Sequence, residues 1–114
     1  MDFEGATITS KAKLLHGGKV AVRSIITADG EMKSLGLMHA GTYRMTTEAP
    51  ELMEILEGNC RVKLADDQAW NSYQAGDRFS VPANSGYEIE VEGVLDYVVH
   101  HGESGPIPAS SSSS

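Results

Sequence analysis

Glu51 is the residue whose setting most favours chemistry in this sequence. It follows Pro50 and opens the run 51–57, in which strand alternation puts Glu51, Met53 and Ile55 on one face. A carboxyl group among apolar side chains loses hydration, so its pKa rises and it can donate a proton. It could instead stay charged and bind substrate hydroxyl groups or support a positive charge. Either role makes Glu51 the candidate catalytic residue.

Aromatic and hydroxyl side chains are predicted to share the interior with Glu51. The same alternation directs inward a set of ring, thioether and hydroxyl side chains: Tyr43, Met45, Thr47, Phe79 and Tyr87. Rings of this kind can stack on a planar ligand, and the hydroxyls can bind its polar groups. Ordinary core packing is the competing interpretation for the rings and for Met53.

Cysteine and histidine chemistry is weakly supported. Cys60 alternates with Arg61 in a strand-like run, which predicts a small buried apolar residue and not a nucleophile. The adjacent pair His100 and His101 should point to opposite faces of a strand, so the two cannot easily share a metal ion. A lone carboxylate cannot hold a first-row metal, which needs three or four ligands.

Short strands and turns are the elements that must position these residues. Eight or nine strands are predicted, among them 20–26, 35–38, 43–47, 51–57, 60–64, 78–81, 87–92 and 95–100. Gly30 and the Gly58-Asn59 pair give turn signals, the second of a hairpin type, and residues 66–77 read as a polar loop. The pattern predicts an all-β sandwich or barrel.

Length and composition predict one domain in 1–101, followed by a disordered Ser/Pro-rich tail in 102–114. A formal net charge of −7 argues against nucleic acid as a partner. No apolar run is long enough for a membrane span and no signal stretch opens the chain, so we expect a cytoplasmic protein with no membrane partner.

Two spacings resemble the paired motifs of cupins. Gly76, Pro82, Asn84 and Tyr87 match the second motif, whose last position is a histidine ligand in metal-binding cupins. Counting back from Gly58, Glu51 stands at the position of the cupin glutamate ligand. The two histidine positions of that motif are then Met45 and Thr47. Only one of four ligand positions is retained, so the resemblance implies a small cupin-like β-barrel of the jelly-roll type, without a metal.

Three longer segments resemble a narrower group, the cupin-fold pyrimidine/purine nucleoside phosphorylases. They are 33–38 (KSLGLM), 41–54 (GTYRMTTEAPELME) and 70–87 (WNSYQAGDRFSVPANSGY), in the family's order and at its separations. The resemblance implies pentosyl transfer: a purine or pyrimidine nucleoside and inorganic phosphate give a free base and pentose 1-phosphate. It also implies a homodimer with no metal or other cofactor. Met45 stands where the family often has phenylalanine, which leaves the preferred nucleoside open.

The resemblance allows a role to be assigned to each candidate site residue. Glu51 is the expected catalytic residue, with a substrate pocket formed by Tyr43, Thr47, Met53, Phe79 and Tyr87. Phosphate needs a cation, for which Lys33 is the first candidate and Arg23 the second. Arg44 and Arg78 face outward by alternation and would serve only by reaching across from a partner.

Two other functions stay open on the sequence. One is a non-enzymatic cupin that binds a sugar or nucleoside. The other is a metal-dependent cupin isomerase or dioxygenase with unusual ligands, which the residues Met45, Thr47 and Tyr87 disfavour.

Overall fold

The computed structural model describes residues 2–101, and the predicted tail lies outside them. Eleven strands occur in this part of the chain, with a single turn of 3-10 helix at His16–Gly18. The strands are β1 Thr7–Ile8, β2 Lys13–Leu15, β3 Val20–Ile26, β4 Met32–Met38, β5 Gly41–Thr46, β6 Glu51–Glu57, β7 Asn59–Leu64, β8 Asn71–Gln74, β9 Arg78–Val81, β10 Gly86–Val91 and β11 Leu95–His101. The predicted all-β class is confirmed. Over the same residues, no helix has the length and apolar character to cross a membrane.

The strands form two antiparallel sheets. The larger has seven strands, in the order β1-β3-β4-β11-β6-β9 with β2 also on β3, and the smaller has four, in the order β5-β10-β7-β8. Strand β11 lies at the centre of the larger sheet, between β4 and β6. This placement brings the end of the described chain next to Glu51, the first residue of β6.

Alternation assigns the faces as the sequence predicts. On β10, Tyr87 and Ile89 are buried, while Glu88 and Glu90 are only partly covered. The inward side chains of both sheets form one apolar cluster, which includes Met38, Tyr43, Met53, Ile55, Val62, Phe79, Tyr87, Ile89, Leu95 and Tyr97. Burial of this cluster supplies the main driving force for folding. The space between the sheets is therefore filled by side chains.

The turns confirm one sequence prediction and correct another. Gly30, with φ +90°, closes a hairpin between β3 and β4, and its N–H donates to the Thr27 carbonyl at 2.9 Å. Gly58 has the predicted positive φ, +96°. However, β6 and β7 lie in different sheets, so the Gly58-Asn59 pair connects the sheets and does not make a hairpin. A Cβ atom at Gly58 would lie 2.4 Å from the Val94 carbonyl oxygen, which explains why the crossing needs glycine.

The predicted polar loop at 66–77 contains a strand. Asn71–Gln74 pairs with β7 at the edge of the smaller sheet. Trp70, just before it, lies beside the guanidinium of Arg61, whose Cζ is 5.3 Å from the ring centroid. The loop prediction failed because only Tyr73 of this strand turns toward the core, where it stacks on Phe79.

Candidate active site

Glu51 lies on the inner face of the larger sheet, at the end where that face meets solvent. In the strand register it stands beside Val81 of β9 and His101 of β11. Its own strand continues inward with Met53 and Ile55, both about 1% exposed. The carboxyl group is half-buried, and loss of hydration raises its pKa. The structure thus gives Glu51 the environment that the sequence predicts.

Ser34 and His101 lie on the next two strands of the sheet from Glu51: His101 is its register partner on β11, and Ser34 on β4 is diagonal to His101, opposite Val99. Ser34 on β4 is 9% exposed, and its Oγ lies 2.7 Å from Nε2 of His101 on β11. The adjacent histidine, His100, points to the outer face, which confirms the prediction that the pair separates. Neither Ser34 nor His101 is among the site residues predicted from the sequence. The available signal was that His101 continues the inward alternation of Tyr97 and Val99.

Two tyrosine hydroxyls belong to the same electrostatic environment. Burial raises the pKa of Tyr87, and the negative charge of Glu51 adds to the shift. The pKa of Tyr97 rises for the same two reasons, again with burial first. The Tyr87 hydroxyl donates toward Sδ of Met53 at 3.5 Å. Both phenols therefore stay protonated, as hydrogen-bond donors, throughout the neutral pH range.

The other predicted substrate residues have structural contacts. The Tyr43 hydroxyl donates to the His39 carbonyl at 2.6 Å, away from Glu51. The Thr47 hydroxyl donates to the Pro82 carbonyl at 2.6 Å and accepts from the Ser85 N–H at 3.2 Å, which ties β5 to the 82–85 loop. Phe79 packs between the rings of Tyr73 and Tyr87. Of the predicted set, Tyr87 lies within the electrostatic influence of Glu51, and Met53 is the next inward residue on the same strand.

The predicted phosphate ligands lie on the opposite face of the larger sheet from Glu51. Lys33 pairs with Ile25 and His100 there, and its ammonium group donates to His100 Nδ1 at 2.8 Å. Arg23 lies on the same outer face and donates from Nε to the Ser10 carbonyl at 3.3 Å. The structure therefore does not bring either cation together with Glu51 within one chain. Arg44 and Arg78 are exposed, as alternation predicts.

On the outer face of the larger sheet, polar side chains form a connected series of hydrogen bonds and ion pairs. Lys33 also pairs with Glu31 at 3.2 Å, and His100 Nε2 donates to Glu54 Oε1 at 2.9 Å. Arg78 approaches the same Glu54 oxygen at 3.6 Å. An ammonium group can only donate, so in this arrangement Nδ1 of His100 accepts from Lys33 while Nε2 faces the Glu54 carboxylate. These contacts give Lys33 a structural partner on each side.

Among the described residues, metal-ligating side chains do not cluster and the thiol of Cys60 is buried. Within 2–101, no group of three or more His, Cys, Asp or Glu side chains is placed to hold a metal ion. Cys60 is 3% exposed, which confirms its predicted burial. Burial, with the charge of Asp77 adding to it, raises the pKa of the Cys60 thiol to about 11. A thiol in that state is a poor nucleophile near neutral pH.

Two surface concavities lie on the outer side of the smaller sheet, and neither includes Glu51. One, of about 420 Å³, lies between Arg61, Tyr73 and Glu90. The other, of about 320 Å³, lies between Arg44, Lys63 and Tyr87. Their walls include charged side chains on the solvent-facing side of the sheet, where Arg61 forms an ion pair with Glu90 on the neighbouring strand. Glu51 and His101 are instead register partners on the other sheet, where both side chains are partly exposed.

The segments that resemble a known family lie within a region that matches the model of that family. The family model described as pyrimidine/purine nucleoside phosphorylase matches residues 10–101. This chain belongs to the pyrimidine/purine nucleoside phosphorylase family. A relative from Methylococcus capsulatus, named pyrimidine/purine nucleoside phosphorylase, is 45% identical over 100 residues, which cover 88% of this chain and 97% of the relative. The resemblance stated from the sequence is confirmed.

Solved structures show that the fold is shared with other proteins. A protein of unknown function from Acinetobacter sp. ADP1 superposes with a TM-score of 0.85 at 37% identity, covering 88% of this chain and 97% of that one. The cupin domain of Drosophila melanogaster CENP-C superposes with a TM-score of 0.62 at 10% identity, over 80% of this chain and 75% of that one. The second likeness shows the fold alone. A cupin-like all-β fold is therefore the framework in which this phosphorylase-family chain holds Glu51.

Proposed function

We propose that this chain cleaves purine and pyrimidine nucleosides by phosphorolysis, without a metal ion, giving the free base and pentose 1-phosphate. Family membership supports the class of reaction. The observation that carries the site is Glu51, a half-buried carboxyl group on the inner face of a cupin-like fold, with a pKa raised by its surroundings. Such a group suits charge stabilisation in a partly dry environment.

The reaction needs a negative charge beside the pentose. As the C1′–N bond breaks, positive charge develops on the ring, and phosphate then bonds to C1′. In this proposal the ionised Glu51 accepts hydrogen bonds from the sugar hydroxyls and stabilises that positive charge. Tyr87 and Tyr97, which remain protonated, donate hydrogen bonds to oxygen atoms of the substrate. Met45 and Met53 supply adaptable apolar surface for different bases.

Base release measures the proposed activity directly. Uridine or adenosine is mixed with the purified full chain, with and without inorganic phosphate, before and after treatment with a chelator. We expect free base only when phosphate is present, at a rate that the chelator leaves unchanged. Activity abolished by the chelator would contradict metal independence. Saturable nucleoside binding without base release would contradict phosphorolysis and favour the ligand-binding alternative.

Lys33 tests where phosphate binds. Because its ammonium group is held by His100 and Glu31 on the outer face, we expect Lys33→Ala to lower the free energy of unfolding by roughly 1 to 2 kcal/mol. We expect the KM for phosphate to change less than twofold. Initial rates at varied phosphate and varied nucleoside separate the two constants. A selective rise in the phosphate KM would assign phosphate to Lys33, as the family resemblance implies, and contradict a structural role.

We propose a homodimer in the cytoplasm, again from family membership. An apolar surface supports self-association: Ile26 and Met32 are register partners at the open end of the larger sheet and are 45% and 54% exposed. A second copy covering this surface would also border the Glu51 end of the fold. Sedimentation equilibrium of the full chain should give twice the monomer mass, and Met32→Glu should weaken the dimer. A monomer at all concentrations would contradict the proposal.

A further inference from the structure

The group of side chains formed by Ser34, His101 and Glu51 contains more chemistry than charge stabilisation uses. These side chains lie on β4, β11 and β6, which are adjacent strands, and all face the interior end of the larger sheet. The Ser34 hydroxyl holds one ring nitrogen of His101, Nε2, at 2.7 Å. The ring is partly exposed and stands beside Glu51 in the register. An imidazole is thus oriented at the edge of the proposed site.

Phosphorolysis has a second requirement, at the base. When the C1′–N bond breaks, its electron pair goes to the nitrogen of the base, and a bond forms between C1′ and a phosphate oxygen. A neutral base then leaves as an anion unless a proton reaches it. An acid with a pKa near the working pH meets this need best, and imidazole, with an ordinary pKa of about 6.5, is the side chain of that kind.

The neighbouring titratable groups do not suit this role. On the inner face these are Glu51, Tyr87 and Tyr97, and the two phenols hold their protons too tightly. Glu51 has its proposed role as an anion on the sugar. His100, Lys33 and Glu54 face the other side of the sheet and bind one another. His101 is the remaining inward-facing titratable side chain among them, and it carries the imidazole group that this role requires.

We propose that His101 donates the proton that lets the base depart, and that Ser34 is a positioning residue that holds its ring. This inference rests on the proposed function and assigns a further catalytic residue within it. The proton passes from the imidazolium to the base nitrogen that takes the bonding electrons, and His101 is left neutral. It is protonated again from solvent, which its partial exposure permits.

A nucleoside whose base needs no proton separates this role from a structural one. N7-methylation of a purine nucleoside places a positive charge on the base, which then leaves as a neutral molecule. We expect His101→Asn to lower kcat/KM for the unmethylated purine nucleoside by about a hundredfold or more. For the N7-methylated substrate the loss should stay below about threefold. Ser34→Ala should show the same selectivity with a smaller loss, of about tenfold.

Two further measurements make the test specific. In the wild type, kcat/KM for the unmethylated substrate should fall at high pH as the acid loses its proton, and His101→Asn should abolish this fall. The matched control is His39→Asn, because that histidine is exposed at the far end of β4. The control should leave both substrates unaffected. Urea unfolding of each variant shows that the fold is retained.

The outcomes distinguish a failure of the acid role of His101 from a failure of the proposed phosphorolysis. The acid role of His101 would be overturned if His101→Asn lost equal activity on both substrates. It would also be overturned if kcat/KM of the variant still fell at high pH. In either case wild-type phosphorolysis would stand. If the wild-type chain releases base from neither nucleoside, the proposed function fails and this role fails with it. Selective loss on the unmethylated substrate, with Ser34→Ala following it, would support both.

Discussion

Glu51→Gln is expected to lower kcat by at least tenfold while the free energy of unfolding at neutral pH stays the same or increases. The amide has nearly the shape of the carboxyl group and can still bind hydroxyls, but it carries no charge. It therefore loses the stabilisation of positive charge on the pentose, for which removal of one electrostatic group costs about ten- to a thousandfold in kcat. Steady-state base release at saturating nucleoside and phosphate measures the effect.

The expected gain in stability follows from the raised pKa of Glu51. Burial disfavours the ionised carboxyl group in the folded state, so the folded chain binds this proton more tightly than the unfolded chain. The contribution of Glu51 to stability is complete below the unfolded pKa, about 4.3, and is lost as pH rises through the higher folded pKa. Glutamine does not ionise, so the variant avoids this loss, and its advantage should appear as pH rises across that window.

The activity should depend on pH in the opposite sense. Glu51 acts as an anion in the proposed mechanism, so kcat/KM should fall in acid as the carboxyl group is protonated. The midpoint of this fall should lie above the ordinary glutamate pKa, because burial raises it. Glu51→Gln should abolish this fall of kcat/KM at low pH. Glu57→Gln is the matched control, since Glu57 lies exposed on the same strand. Unchanged kinetics in Glu51→Gln would show that the site lies elsewhere.

The faces of the strands could be predicted because alternation is a local property. The assignment of Tyr87 and Ile89 to the core needs only the period of two in a half-buried strand. The environment of Glu51 followed in the same way, from Met53 and Ile55 on its own strand. What sequence alone supplies is therefore the side of a strand on which each residue lies.

Pairing between distant strands could not be predicted in this way. Ser34 and His101 are 67 residues apart, and only the β4–β11 pairing brings them together. The Gly58-Asn59 pair correctly indicates a positive φ, yet the dipeptide contains no information about the sheet that the next strand joins. The edge strand Asn71–Gln74 was missed because its polar residues face solvent and its stability comes from hydrogen bonds to β7. The register across the sheet also separates Lys33 from Glu51.

Gly36 shows a further consequence of pairing, within the 33–38 segment that resembles the family. It lies in the middle of β4, opposite Tyr97 of β11, and the tyrosine ring covers it. A Cβ atom at Gly36 would lie 2.2 Å from Cζ of Tyr97 and 2.4 Å from its hydroxyl oxygen. Tyr97 is only 3% exposed, so the ring has little space into which it could move. Glycine here makes room for a tyrosine and is not needed for a turn.

Gly36→Ala should therefore lower the free energy of unfolding by about 3 kcal/mol, at the upper end of the usual cost of overpacking. It should also lower activity, since Tyr97 responds to the charge of Glu51 and would be displaced. Gly86→Ala is the control, because its Cβ would meet only the Met45 carbonyl oxygen, at an ordinary 3.6 Å. The double variant Gly36→Ala/Tyr97→Leu removes the distal ring atoms, so its loss should be smaller than the sum of the two single losses. Additive losses in urea unfolding would mean that the ring and the new methyl group do not compete for space, and the position of the Tyr97 ring would then not explain this glycine.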